Sequence, residues 1–211
     1  MNRKTIILLV AMVATILPAV AVADVMVQGN VQVEATGGSA AFMVTQGSNY
    51  AAAQDLMTKG SIWTSTQKSA TEQMGTMALP TMTNETLYGV NILQVNFLAD
   101  EISSADFYIN ISVSTAFVSG TYLYISGSPM SLSALSSPTV LTAGSPVSVA
   151  AGAHTVYSVS LSTTTSTTLF SLEYTAVSSS AGSHVYIGFE TTPPGSASLS
   201  GLAQIAFNYI A

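Results

Sequence analysis

Few side chains in this sequence belong to the types that do chemistry, and their spacing argues against catalysis. The 211 residues hold two histidines, His154 and His184, and no cysteine. A zinc site needs three or four Cys, His or carboxylate ligands at short set spacings, and no H-x-x-x-H or paired Glu/His pattern occurs. Both histidines instead stand beside turns at the start of strand-like stretches. Carboxylates come closest together at Asp100-Glu101, with Asp106 just beyond, in what reads as a turn between strands. A calcium loop of the EF-hand kind alternates its acids, and this stretch does not, so a solvated acidic turn is expected. Glu173 shares its parity with Ser171 and Thr175 and should face solvent. Serine is abundant, but no G-x-S-x-G elbow offers one to a base. The sequence predicts no catalytic residue, no metal and no cofactor.

Two modification chemistries remain. The sequons Asn84-Glu85-Thr86 and Asn110-Ile111-Ser112 are candidate glycan acceptors in an exported chain. Asn110 lies on the polar side of its strand, which would aim an N-linked glycan at solvent. A lysine–asparagine isopeptide staple needs a lysine in an apolar strand, and neither Lys59 nor Lys68 has that setting.

Export itself is the expectation from residues 1–23. Asn2-Arg3-Lys4 supplies a positive start, Ile6 to Ile16 an apolar stretch, and Ala21-Val22-Ala23 a small-residue cleavage site. The apolar run is short of the roughly 20 residues that span a bilayer. Cleavage would leave Asp24 first, with Lys59 and Lys68 facing ten acids. Such a chain has no basic face for nucleic acid. No membrane association is expected after cleavage, and the location is extracellular. With no cysteine available, the chain must hold itself by core area or by assembly.

The elements that would position any site are almost all strands. "ADFYINISVSTAF" (105–117) sets Phe107, Ile109, Ile111 and Val113 on one side, and Tyr108, Asn110, Ser112 and Ser114 on the other. "LYGVNILQVNFL" (87–98) changes parity partway, which predicts a bulge near Leu93-Gln94. "GTYLYIS" (120–126) is expected to form a hairpin with the preceding strand across Ser119-Gly120. "HTVYSVSLS", "TTLFSLEYTAV", "HVYIGFE" and "LAQIAFNYI" follow, separated by Ser, Gly and Pro turns. Helix is confined to "NYAAAQDLMTKG" (49–60), with Asn49 as cap and Gly60 as stop. The polar stretch from Ser65 to Asn84 reads as a long loop. The expected fold is all-β: a single jelly-roll or β-sandwich domain over 37–211, with little helix.

Residues 24–36 stand apart. "DVMVQGNVQVEA" alternates throughout, with Val25, Val27, Gly29, Val31 and Val33 on one side. At about 3.3 Å per residue this strand would reach roughly 40 Å. It begins where cleavage would free it, and Gly37-Gly38 follows as either a hairpin turn or a hinge. As a turn, the glycine pair would fold the strand back on "AAFMVTQ" (40–46). As a hinge, it would let the strand enter a groove in the next copy, where main-chain bonds supply affinity and alternate side chains supply fit. The hinge is the expectation adopted here, with the C-terminal strand "LAQIAFNYI" as one candidate wall of the groove.

The export signal through Ala23, the strand Asp24–Ala35, the "GSAAFMV" continuation and the cysteine-free Ser/Thr-rich body resemble the archaeal bundling pilins. These are extracellular filament subunits related in fold to the bacterial biofilm fibre protein TasA. The resemblance covers the layout of the whole chain and rests on no highly specific motif. It implies a jelly-roll subunit whose N-terminal strand complements the next copy, in a head-to-tail homopolymer that bundles for cell–cell adhesion and biofilm cohesion. By that resemblance Val25, Val27, Val31 and Val33 are the donor side chains. The competing expectation is a monomeric carbohydrate-binding or surface-layer-associated sandwich, with Trp63, Tyr50 and Tyr108 as stacking candidates.

Overall fold

A computed structural model describes residues 40–57, 60–80, 85–98, 105–144, 146–163, 170–177, 183–192 and 201–210. The export segment, the N-terminal strand with its valines and Gly29, Gly37-Gly38, Lys59, Asn84 and Asp100-Glu101 lie outside the described residues. Those that are described belong to one contact-defined unit, Val33–Ala211.

These residues form an all-β sandwich of two six-stranded sheets. In chain order the elements are β1 (Phe42–Gln46), α1 (Tyr50–Gln54), β2 (Trp63–Ser69), β3 (Glu72–Met77), β4 (Leu87–Phe97), β5 (Ala105–Thr115) and β6 (Tyr122–Ser126). A 3-10 turn at Leu132–Ser136 follows, then β7 (Thr139–Val140), β8 (Val147–Ala150), β9 (Val156–Ser160), β10 (Phe170–Val177), β11 (His184–Thr191) and β12 (Leu202–Ile210). The first sheet runs β1-β4-β11-β6-β9-β7 and the second β2-β3-β12-β5-β10-β8.

Period-2 patterning builds the shared core. Phe107, Ile109, Ile111 and Val113 of β5 are fully buried, and β12 sets Ile205 opposite Ile111 and Phe207 opposite Ile109. Phe42 of β1 and Phe97 of β4 each meet the Phe107 ring edge-on at 5.0 Å between centroids. Such pairs add about 0.5–1.5 kcal/mol beyond the area they bury. One side of the first sheet is therefore tied to the middle of the second by rings from three strands.

The parity change in β4 is a bulge, centred a little earlier than expected. Ile187 of β11 lies opposite Leu93 and Phe189 opposite Gly89, so β4 spends twice the residues of its neighbour there. Asn91 takes up the excess at φ 53°. Its side chain then bonds both the carbonyl and the N–H of Met130, at 2.9 and 2.8 Å. This clamps the segment after β6 onto the outer face of the first sheet. Met130 and Leu135 cover Tyr124 and Val156 there, forming a second small apolar cluster.

Three expectations are corrected. β5 and β6 form no hairpin, because β5 is flanked by β12 and β10 and β6 by β11 and β9. The Ser119-Gly120 turn, with Gly120 at φ 86°, instead carries the chain from one sheet to the other. The polar stretch after Ser65 is not a loop across the sandwich but mostly the β2–β3 hairpin, whose Gln67 lies opposite Gln73 and Thr66 opposite Met74. The helix is one turn, and Asn49 does not cap it: its amide donates to the Val90 carbonyl at 2.8 Å and ties α1 to β4.

Candidate subunit interface

A two-sheet sandwich has four edge strands, and each exposes a row of unpaired main-chain groups unless something blunts it. Among the described residues these strands are β1 and β7 in the first sheet and β2 and β8 in the second. Two are short, run parallel to their neighbours and start right after a proline: β7 follows Pro138, and β8 follows Pro146. β2 carries Lys68, which pairs with Glu72 at 3.3 Å. Only β1, with the sequence Phe-Met-Val-Thr-Gln, is antiparallel and lacks both charge and proline.

The phase of the β1 ladder shows what this edge offers. Leu98 donates its N–H to the Ala41 carbonyl, and Gly47 donates to the Ile92 carbonyl. Bonded pairs recur at every second position of an antiparallel ladder. Met43 and Thr45 therefore face β4, as do the Ala41 carbonyl and the Gly47 N–H, while Phe42, Val44 and Gln46 turn their N–H and C=O groups to the open side. The ends of the strand are pinned. Ala41 donates to the Ala70 carbonyl in the β2–β3 turn. Beyond Gly47, α1 is tied to Val90 on one side, and on the other the Tyr50 hydroxyl meets the Ser61 hydroxyl at 2.8 Å.

The second sheet reaches past this edge. Phe42 packs on Phe107 of β5 and on Phe207 of β12. Because β3 and β2 lie beyond β12 in their sheet, their inner faces form a shelf outside β1. Gln73, Gly75 and Met77 of β3 and Trp63, Ser65 and Gln67 of β2 share that inward parity. The Trp63 indole lies on Gly75, where an added Cβ would come within 2.1 Å of the ring, and its edge meets Phe207 at 6.0 Å. The Gln73 amide donates to the Ser65 hydroxyl at 2.9 Å. Its carbonyl oxygen and the Trp63 Nε1 are buried with no hydrogen-bond partner among the described residues. The wall of this shelf is thus β3 and β2. β12, the wall suggested by sequence, is an interior strand flanked by β3 and β5.

The other residues singled out from sequence are not gathered into a site. His154 is exposed ahead of β9, and His184 begins β11 against the Tyr186 ring. No group of three or more His, Cys, Asp or Glu lies together among the described residues. Glu173 is on the outer face as expected, yet it accepts a hydrogen bond from the Tyr108 hydroxyl at 2.7 Å. Asn110 sits beside it, half-buried, with its carbonyl oxygen accepting from Ser171 at 2.8 Å. Tyr50 is buried, while Trp63 is half-buried with an edge-on contact to Phe207.

Sequence reasoning passed over Glu190, which accepts from the Tyr124 hydroxyl on the outer face of the first sheet. Burial first, then this bond, holds the Tyr124 phenol well above its ordinary pKa. The Glu190 charge also raises exposed Tyr88, its cross-strand neighbour. The signal was available in principle: in β11 Glu190 shares the parity of Tyr186 and lies opposite Tyr88 and Tyr122. It could be read only once the strand order was known. No family model, curated protein or solved structure matches this chain.

Proposed function

We propose that the chain is a secreted structural subunit that polymerises by donor-strand complementation into an extracellular fibre serving cell–cell adhesion and biofilm cohesion. The observation that carries the reading is β1: an uncharged, proline-free edge with main-chain groups turned outward, reached directly from the alternating segment 24–36. In each copy that segment offers a strand, and in each copy β1 offers a place to add one. Strand addition satisfies the outward groups of Phe42, Val44 and Gln46, and the apolar row Val25, Val27, Val31 and Val33 covers the shelf formed by β3 and β2. Donor and acceptor surfaces differ, so the contact is heterologous, and repeated without closing on itself it grows as a filament. Gly37-Gly38 serves as the hinge that carries the strand away from its own β1. The blunting of β7, β8 and β2 favours growth along one axis, since three of the four edges resist pairing.

Electron microscopy of the mature protein, with and without residues 24–36, tests this reading. The full mature chain should form fibres, and the deleted chain should stay monomeric and folded. Undiminished fibres from the deleted chain would overturn the proposal.

A further inference from the structure

The shelf beside β1 also fixes where an incoming strand must stop. We propose that Gly29 of one copy seats over the Trp63 indole of the next, setting the register of the exchanged strand; this rests on the donor-strand reading above. A strand added to β1 lies about 4.8 Å outside it, with its inward side chains facing the second sheet across a layer about 10 Å thick. Side chains from both faces share that layer, so a bulky group on one face needs a small residue opposite. On the shelf the bulky group is Trp63, whose ring occupies the space above Gly75. Across the hairpin from it Met77 is buried, and the next inward pairs are Ser65 with Gly75 and Gln67 with Gln73, so past the indole the shelf carries smaller or hydrogen-bonded side chains.

The incoming row carries one glycine, and its other small residue, Ala35, stands at its end. Val25, Val27, Gly29, Val31 and Val33 recur every second position, and glycine stands at the centre. Any valine of this row placed over the indole would press two methyl groups into the ring. Shifting the strand by two residues would therefore introduce a clash at Trp63 and leave a gap where Gly29 lands. Knob and hole thus select one alignment, with Val27 and Val31 on either side of the indole. The same match separates this strand from an unrelated alternating strand, which would carry no glycine at that point.

Trp63 is the sole tryptophan of the chain, so its emission reports on the contact directly. In the wild-type mature protein, fibre formation should shift the emission to shorter wavelength and reduce acrylamide quenching at least twofold. Gly29→Leu should raise the critical concentration for fibres at least tenfold. Adding Trp63→Val to that variant should recover most of the loss, because the smaller side chain admits leucine. Fibres that form with unchanged emission and quenching, or a Gly29→Leu chain that polymerises like wild type, would overturn the register while leaving strand exchange standing. Absence of rescue in a Gly29→Leu/Trp63→Val chain that melts like the wild-type domain would also overturn it. Failure of strand exchange itself would show differently, as fibres that persist without residues 24–36.

Discussion

Replacing Val44 by proline separates folding of the subunit from its assembly. The Val44 N–H turns away from β4, so a proline there removes no bond from the subunit's own ladder, and prolines are accepted on edge strands in that phase. The side chain is half-buried against the core, and the change should cost the monomer about 1 kcal/mol. Assembly loses more. The incoming carbonyl that would have accepted from Val44 is left without a donor inside the contact, which costs about 1–3 kcal/mol. At 1.4 kcal/mol per tenfold, the critical concentration should rise by roughly five- to 140-fold. Every subunit in an open fibre makes the same contact, so the whole penalty falls on growth. Sedimentation across a concentration series measures the threshold, and urea titration of the soluble fraction measures the monomer. Met43→Pro is the matched control: the Met43 N–H faces β4, so that variant should lose monomer stability first. The reasoning fails if Val44→Pro sediments at the wild-type threshold, or if the two prolines behave alike.

Other consequences follow from the same geometry. Val31→Lys would bury an ammonium in the apolar row, and should abolish fibres in sedimentation assays while secreted yield stays unchanged. Gly75→Ala would drive a methyl into the Trp63 ring, and should lower domain stability by about 1–3 kcal/mol in chemical denaturation. Tyr174 is buried with its hydroxyl unpartnered among the described residues, and burial raises its pKa. The folded chain then keeps a proton that the unfolded chain releases above about pH 10, so stability is intact below that pH and falls as pH rises further, by up to about 1.4 kcal/mol per unit. Tyr174→Phe should flatten that alkaline fall in urea midpoints without destabilising the domain at neutral pH; an unchanged slope would refute the assignment.

Strands with an apolar stripe were legible in the sequence, and those whose inward positions are polar were not. β5 and β12 declare themselves through Phe107, Ile109, Ile111 and through Ile205 and Phe207, because both lie in the middle of their sheet and bury one full face. β2 and β3 show no such stripe: the inward positions after Trp63 are Ser65 and Gln67, opposite Gly75 and Gln73. The hairpin expected at Ser119-Gly120 failed for a related reason. Local turn chemistry sets where the chain reverses, while the choice of sheet depends on which neighbours compete for the strand, and β10 and β12 won β5.

The residues that hid β2 and β3 from a hydropathy reading are the ones that make the shelf. A strand pair that completed its own core would carry large apolar residues at positions 65, 67, 73 and 75. Here those positions hold Ser, Gln, Gln and Gly, and the Trp63 ring leans across the vacant Cβ of Gly75 to cover part of the surface. The Gln73 oxygen and Trp63 Nε1 left without partners among the described residues point the same way. Buried polar atoms usually find a partner, so these two need one beyond the described residues. On the reading proposed here, a weak amphipathic signal next to an unblunted edge strand is a legible trace of assembly.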